Sequence, residues 1–144
     1  MPTVPSETGK LAKSVRRLRL LIVEDELLPA WDLHDTVCAL GHSVCDAVPT
    51  QDEAIAATLF HRPDVVLMDY RLAQGNGVDA ARHISETLNV PVIFCTAYRS
   101  ALFASIPSLR KTHVLGKPIN AAALRDALLH ATDPDAVHTL DWPS

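Results

Sequence analysis

The sequence is poor in the residues that build disulfide scaffolds and membrane spans. Its three cysteines, Cys38, Cys45 and Cys95, are an odd number with no CxxC spacing. That excludes a disulfide framework and a cysteine-rich zinc site, and it fits free thiols in a reducing, cytoplasmic setting. His34 and Cys38 lie one helical turn apart, but a structural zinc needs about four ligands. No apolar run approaches the roughly 20 residues of a membrane-spanning helix. The basic leader ahead of LRLLIV imitates a signal peptide, yet its apolar stretch is too short and runs into acids. Positive charge is scarce outside that leader. Residues 1–19 carry Lys10, Lys13, Arg16, Arg17 and Arg19 against Glu7, a balance of +4, which leaves −8 on the remainder. A negative body argues against nucleic acid as a direct ligand.

What is present is enough for one domain: 144 residues, 48% of them hydrophobic. Three short apolar runs recur, LRLLIV (18–23), DVVLM (64–68) and VPVIFC (90–95). Each is too short for a helix and lacks alternation, the pattern of parallel strands covered on both faces. SVCDAV (43–48) and HVLG (113–116) are weaker strand candidates. Helical stripes lie between them. Ala30, Leu33, Val37 and Leu40 form one, with Gly41 as its stop. Thr50 and Glu53 form a capping box ahead of Ile55 and Leu59. Val78, Ala81, Ile84 and Leu88 form a third, which Pro91 ends. Asn120 caps a last helix whose staple pair is Ile119 and Leu124. Leu102, Phe103 and Ile106 suggest a helix within 99–112 that Pro107 cuts short. The alternation predicts an α/β fold, a doubly wound five-stranded parallel sheet over 18–131. A basic leader, 1–17, precedes it, and an irregular tail, 132–144, follows.

In such sheets ligands sit beyond the carboxyl ends of the strands. The first strand ends in Glu24 and Asp25, the third in Asp69, the fourth in Thr96 and the fifth in Lys117. Adjacent carboxylates repel one another and resist desolvation, so their concentration implies a cation. They are hard oxygen donors suited to Mg²⁺, which takes one or two carboxylates, several waters and a phosphate. An Asp carboxylate can attack phosphorus to form an acyl phosphate. A lysine ammonium and a threonine hydroxyl can then bind the transferred oxygens, where charge spreads in the transition state. Gly116-Lys117 is not a P-loop, because the first glycine and the following Ser/Thr are missing.

The motifs IVEDE, DVVLMDYRL, VIFCTAY and LGKPI, in this order, make residues 18–129 resemble the receiver domain of bacterial two-component response regulators. The resemblance implies strand order 2-1-3-4-5 and Asp69 as phosphoacceptor. It implies that Asp25 binds Mg²⁺ directly, that Glu24 does so mostly through water, and that the backbone carbonyl of Arg71 completes the metal site. Thr96 and Lys117 would contact the phosphoryl group. The donor would be a histidine kinase or phosphotransfer protein. Nothing after residue 131 is long enough for an output domain, so the signal would leave through contacts with a downstream protein, or the domain would drain phosphoryl groups from a kinase. Two features depart from the family's pattern. Val114 stands where most receivers carry a strand-five aromatic. VIFCTAY matches the Phe-Ala-Thr-Gly-Tyr subgroup only in part, since Cys95 and Ala97 replace its Ala and Gly. Arg71 and Tyr98 flank the expected line of water attack on a phosphorylated Asp69 and are expected to tune its lifetime. Two other readings remain at this point. One is a non-phosphorylated scaffold of the same fold. The other is an aspartyl-phosphate phosphatase, which wants a second acid where this chain has Arg71.

Overall fold

The computed structural model describes residues 16–97 and 112–133. In chain order the elements are β1 (Arg19–Val23), α1 (Leu27–Ala39), β2 (Ser43–Val48), α2 (Gln51–His61), β3 (Val65–Met68), α3 (Gly77–Thr87), β4 (Val92–Thr96), β5 (Thr112–Gly116) and α4 (Ala121–Thr132). The five strands pair in parallel in the order β2-β1-β3-β4-β5. This is the doubly wound sheet that the alternation of short runs and stripes implies. The expected helix within 99–112, the leader through residue 15, Tyr98 and the tail beyond 133 lie outside the described residues.

Unbroken apolar runs have a simple cause here. β1, β3 and β4 are interior strands, so successive side chains enter two different cores. Leu21, Val23, Val66, Met68, Val92 and Phe94 point to the α2–α3 side. Leu20, Ile22, Val65, Leu67, Ile93 and Cys95 point to the α1–α4 side and meet Leu33, Val37, Leu124 and Leu128. Neither face of these strands meets water, so no polar residue is required at alternate positions. β2 is an edge strand and more exposed. Its register against β1 slips between Leu20 and Leu21, leaving Cys45 unpaired as a bulge. The Cys45 thiol donates to the Leu20 carbonyl at 3.4 Å.

The helix ends follow local chemistry. α1 stops in a Schellman arrangement: His42 N–H donates to Val37 O (3.2 Å) and Gly41 N–H to Cys38 O (3.0 Å). Gly41 supplies the required positive φ of 94°. Thr50 Oγ1 accepts from Glu53 N–H at 3.1 Å and donates to the Glu53 carboxylate at 3.0 Å. Asn120 Oδ1 accepts from Ala123 N–H at 3.0 Å. Ile119 packs half-buried on the core that holds Leu124, as the staple requires.

One stripe is corrected. α2 does not turn Leu59 inward; that side chain is 53% exposed, and Ile55 is only half-buried. The inner face is Ala54, Ala57 and Thr58. The Thr58 hydroxyl is satisfied by donating to Ala54 O at 2.7 Å. Small residues let α2 lie close against the sheet and α3, whereas a reading by hydrophobicity alone selects the largest side chains.

Candidate functional site

The rim at the carboxyl ends of the strands is built by ladder bonds that continue past the strand ends. Glu24 N–H donates to Val48 O (3.0 Å), Asp69 N–H to Val23 O (2.9 Å) and Lys117 N–H to Thr96 O (3.1 Å). The backbone at 24, 69 and 117 is therefore held as rigidly as the sheet, and the side chains leave it in one direction.

They meet. Lys117 Nζ donates to Glu24 Oε1 at 2.5 Å and to Asp69 Oδ2 at 3.2 Å. The Glu24 side chain is 3% exposed, that of Asp69 11% and that of Lys117 24%. The remaining carboxylate oxygens are also engaged: Glu24 Oε2 accepts from Glu26 N–H (3.1 Å) and Asp69 Oδ1 from Tyr70 N–H (2.7 Å). Carboxylate oxygens of Glu24, Asp25 and Asp69 come within 4.8 Å of one another, with Asp25 exposed at the mouth. Three acids facing one ammonium leave an excess of negative charge in a partly dry site. The donor set and its spacing fit a hard divalent cation such as Mg²⁺.

The electrostatics follow from this crowding. Burial lifts the Glu24 carboxyl above its ordinary range; the Lys117 and Glu26 hydrogen bonds oppose that and the Asp69 charge adds to it. Burial works against the Lys117 ammonium, but its hydrogen bond to Glu24 and the charge of Asp69 outweigh it, so its pKa is raised. Cys95, behind the rim on β4, is pushed up to about 12 by burial, so its thiol is no nucleophile at neutral pH.

Thr96 stands at the end of β4, fully enclosed, opposite Gly116 of β5. Arg71 is exposed in the loop after β3, where it bridges antiparallel to Asn76. Val114 fills a buried place in the α2–α3 core, so no aromatic ring occupies that position on β5. His34 and Cys38 lie on the outer face of α1, at 3.8 Å from each other; among the described residues the one acidic or sulfur-rich cluster spaced for a metal is that of Glu24, Asp25 and Asp69.

Three features were not read from the sequence. An open cavity of about 640 Å³ adjoins the site, between α1 and the turn after β5, with Asp32, Leu33, Thr36 and Ile119 in its wall. Asn76 caps α3, its Oδ1 accepting from Asp79 N–H at 2.8 Å; the Asn-Gly pair before the stripe was the available signal. Gly77 begins α3 against the backbone of Asp69.

A parallel 2-1-3-4-5 sheet carrying this acid–acid–lysine rim defines a class of signalling domain, and comparison with known proteins places the chain within it. Residues 20–129 match the response regulator receiver domain. The chain belongs to that family. The phyllosphere-induced regulator PhyR of Methylorubrum extorquens is 42% identical over 94 residues, which are 64% of this chain and 35% of that protein. The chemotaxis protein CheY of Thermotoga maritima is 27% identical over 76% of this chain and 93% of its own. The solution structure of the PhyR receiver domain of Erythrobacter litoralis superposes with a TM-score of 0.71 at 34% identity, covering 84% of this chain and 97% of that one. The matches span only 35% of PhyR and 39% of the Mycobacterium tuberculosis regulator PdtaR. Among the described residues, no helix is long and apolar enough to cross a membrane.

Proposed function

We propose that this receiver is a phosphorelay element that accepts a phosphoryl group from phosphohistidine onto Asp69, with Mg²⁺ bound at Glu24, Asp25, Asp69 and the Arg71 carbonyl. The observation that carries this reading is the Lys117 ammonium held between Glu24 and Asp69. Such a lysine fixes the direction of the Asp69 carboxylate, as a nucleophile requires. An Asp69 oxygen attacks phosphorus, the P–N bond to the donor imidazole breaks, and the imidazole leaves with its electron pair and takes up a proton. Lys117, turning from the carboxylate to the transferred group, and the Thr96 hydroxyl bind its equatorial oxygens. Mg²⁺, when bound, neutralises charge on those oxygens.

The chain would act in the cytoplasm and catalyse only its own phosphorylation and dephosphorylation. A protein donor is supported by the surface beside the site, where the first turns of α1 expose Leu27 (71%), Leu28 (76%) and Trp31 (59%). Aromatic and aliphatic side chains around a charged centre suit a protein partner better than a small phosphate ester. Output passes through contacts with a downstream protein.

The test is mass measurement after incubation with Mg²⁺ and acetyl phosphate. One phosphoryl adduct in the wild type and none in Asp69→Asn is expected. Turnover of many phosphate esters would favour the phosphatase reading, and absence of any adduct the scaffold.

A further inference from the structure

β2 ends in Val48-Pro49 and delivers no chemical group to the rim. The segment after it nevertheless braces the loop that follows Asp69. Ala73 N–H donates to Pro49 O (3.2 Å), Gln51 N–H donates to Gln74 O (3.0 Å), and Asn76 N–H donates to the Gln51 side-chain oxygen (3.1 Å). Gly75 lies against the same glutamine. A Cβ at 75 would stand 2.2 Å from Gln51 Oε1, and φ there is +80°, so two independent constraints make glycine the residue that admits this contact.

The bond to Asn76 has a specific purpose. Asn76 is the N-cap of α3, and an N-cap's own N–H lies outside the helix ladder. In a capping box the third helical residue reaches back to that N–H. Here the third residue is Asp79, and its carboxylate is turned to Asn76 Nδ2 (3.1 Å) and Arg82 (3.2 Å) instead. Gln51, from another helix, takes its place. Asn76 in turn bridges to Arg71 across the loop, and Gly77 N–H donates to Tyr70 O (2.9 Å). A continuous line of contacts therefore runs from Gln51 through Asn76 to Arg71.

We propose that Gln51 is a positioning residue for the phosphoacceptor loop: by holding Asn76 it fixes the backbone at Arg71, and so sets how well the site binds Mg²⁺. The inference rests on the phosphoacceptor reading above. Gln51 touches no reacting atom. Its effect is preorganisation, since a loop already in its bound conformation loses less entropy when the ion arrives.

The experiment compares the full chain with Gln51→Ala and Gln51→Glu by calorimetric titration with Mg²⁺, alongside thermal melts and amide exchange at Arg71 and Asn76. Glutamate retains the acceptor oxygen and suits the first turn of α2. Expected are a three- to tenfold weaker Mg²⁺ affinity and faster Asn76 exchange in Gln51→Ala, with Gln51→Glu within about twofold of wild type. Equal Mg²⁺ affinity in folded Gln51→Ala and wild type overturns the role given to Gln51. So does a loss that glutamate does not restore. If wild type itself neither binds Mg²⁺ nor takes up a phosphoryl group, the phosphoacceptor reading falls, and this role falls with it.

Discussion

Gly77 at the start of α3 meets the backbone of Asp69 so closely that a Cβ at 77 would stand 2.0 Å from the Asp69 carbonyl oxygen. Backbone on both sides of this contact means that no side chain can swing away to make room. Gly77→Ala is expected to destabilise the fold by about 1–3 kcal/mol, as overpacking does, and to displace Asp69 enough to slow phosphorylation. Gly41→Ala is the control. It meets open space at a positive φ, so it costs about 1 kcal/mol of backbone strain and leaves phosphorylation unchanged. Urea melts and the rate of adduct formation separate the two. Equal phosphorylation rates in both variants would argue against the contact as a fixture of the site.

Lys117 holds the Glu24 and Asp69 oxygens that a cation would need. Lys117→Met removes the ammonium from Glu24 and Asp69 and leaves three carboxylates facing one another, so Mg²⁺ affinity is expected to rise, while phosphoryl transfer falls by on the order of tenfold or more. Asp25→Ala acts in the opposite sense on the metal. It lies exposed at the mouth, so its removal should abolish Mg²⁺ binding and phosphorylation with stability changed by less than about 0.5 kcal/mol. Calorimetric titration of both variants checks the pair of signs; weaker Mg²⁺ binding in Lys117→Met would refute the competition.

His42 is expected to make the fold sensitive to mild acid. Its Nδ1 accepts from Leu18 N–H at 3.0 Å, which requires the neutral ring. Burial and the Arg17 charge lower its pKa below 6.5, with Asp64 opposing. A depressed folded-state pKa means the unfolded chain binds the proton more readily. The stabilisation is therefore complete above about pH 6.5 and is lost as pH falls through the lower folded value. Urea titrations at pH 7.5 and 5.5 should show the wild type losing more stability than His42→Gln. Parallel losses would remove His42 as the cause.

Arg71 is expected to prolong the phosphorylated state. A guanidinium has no acceptor with which to orient an attacking water, and it pairs with phosphoryl oxygens. Decay of labelled phosphoprotein in excess chelator should be about tenfold faster in Arg71→Asn, equivalent to about 1.4 kcal/mol of barrier. Tyr98→Ala, on the VIFCTAY motif alone, is expected to act likewise. Unchanged or slower decay in both would show that neither guards the phosphoryl group.

Much of this protein was determined by short-range sequence patterns. A run such as DVVLM has one stable use, a strand covered on both faces, and the residue after it must then emerge at the sheet's edge. That is why Glu24, Asp69, Thr96 and Lys117 could be assigned to one rim before any distance was known. Helix caps at Thr50 and Asn120 are equally local, since donor and acceptor lie three residues apart. Tertiary structure alone decided which face α2 buries, because the close approach of α3 and the sheet favours Ala54 and Ala57 over the larger Leu59. It also decided that Gln51, 25 residues from Asn76, replaces Asp79 at the cap of α3, and that Gly77 meets Asp69. Such contacts depend on where two separate elements come to rest, and no periodicity along the chain encodes the gap between them.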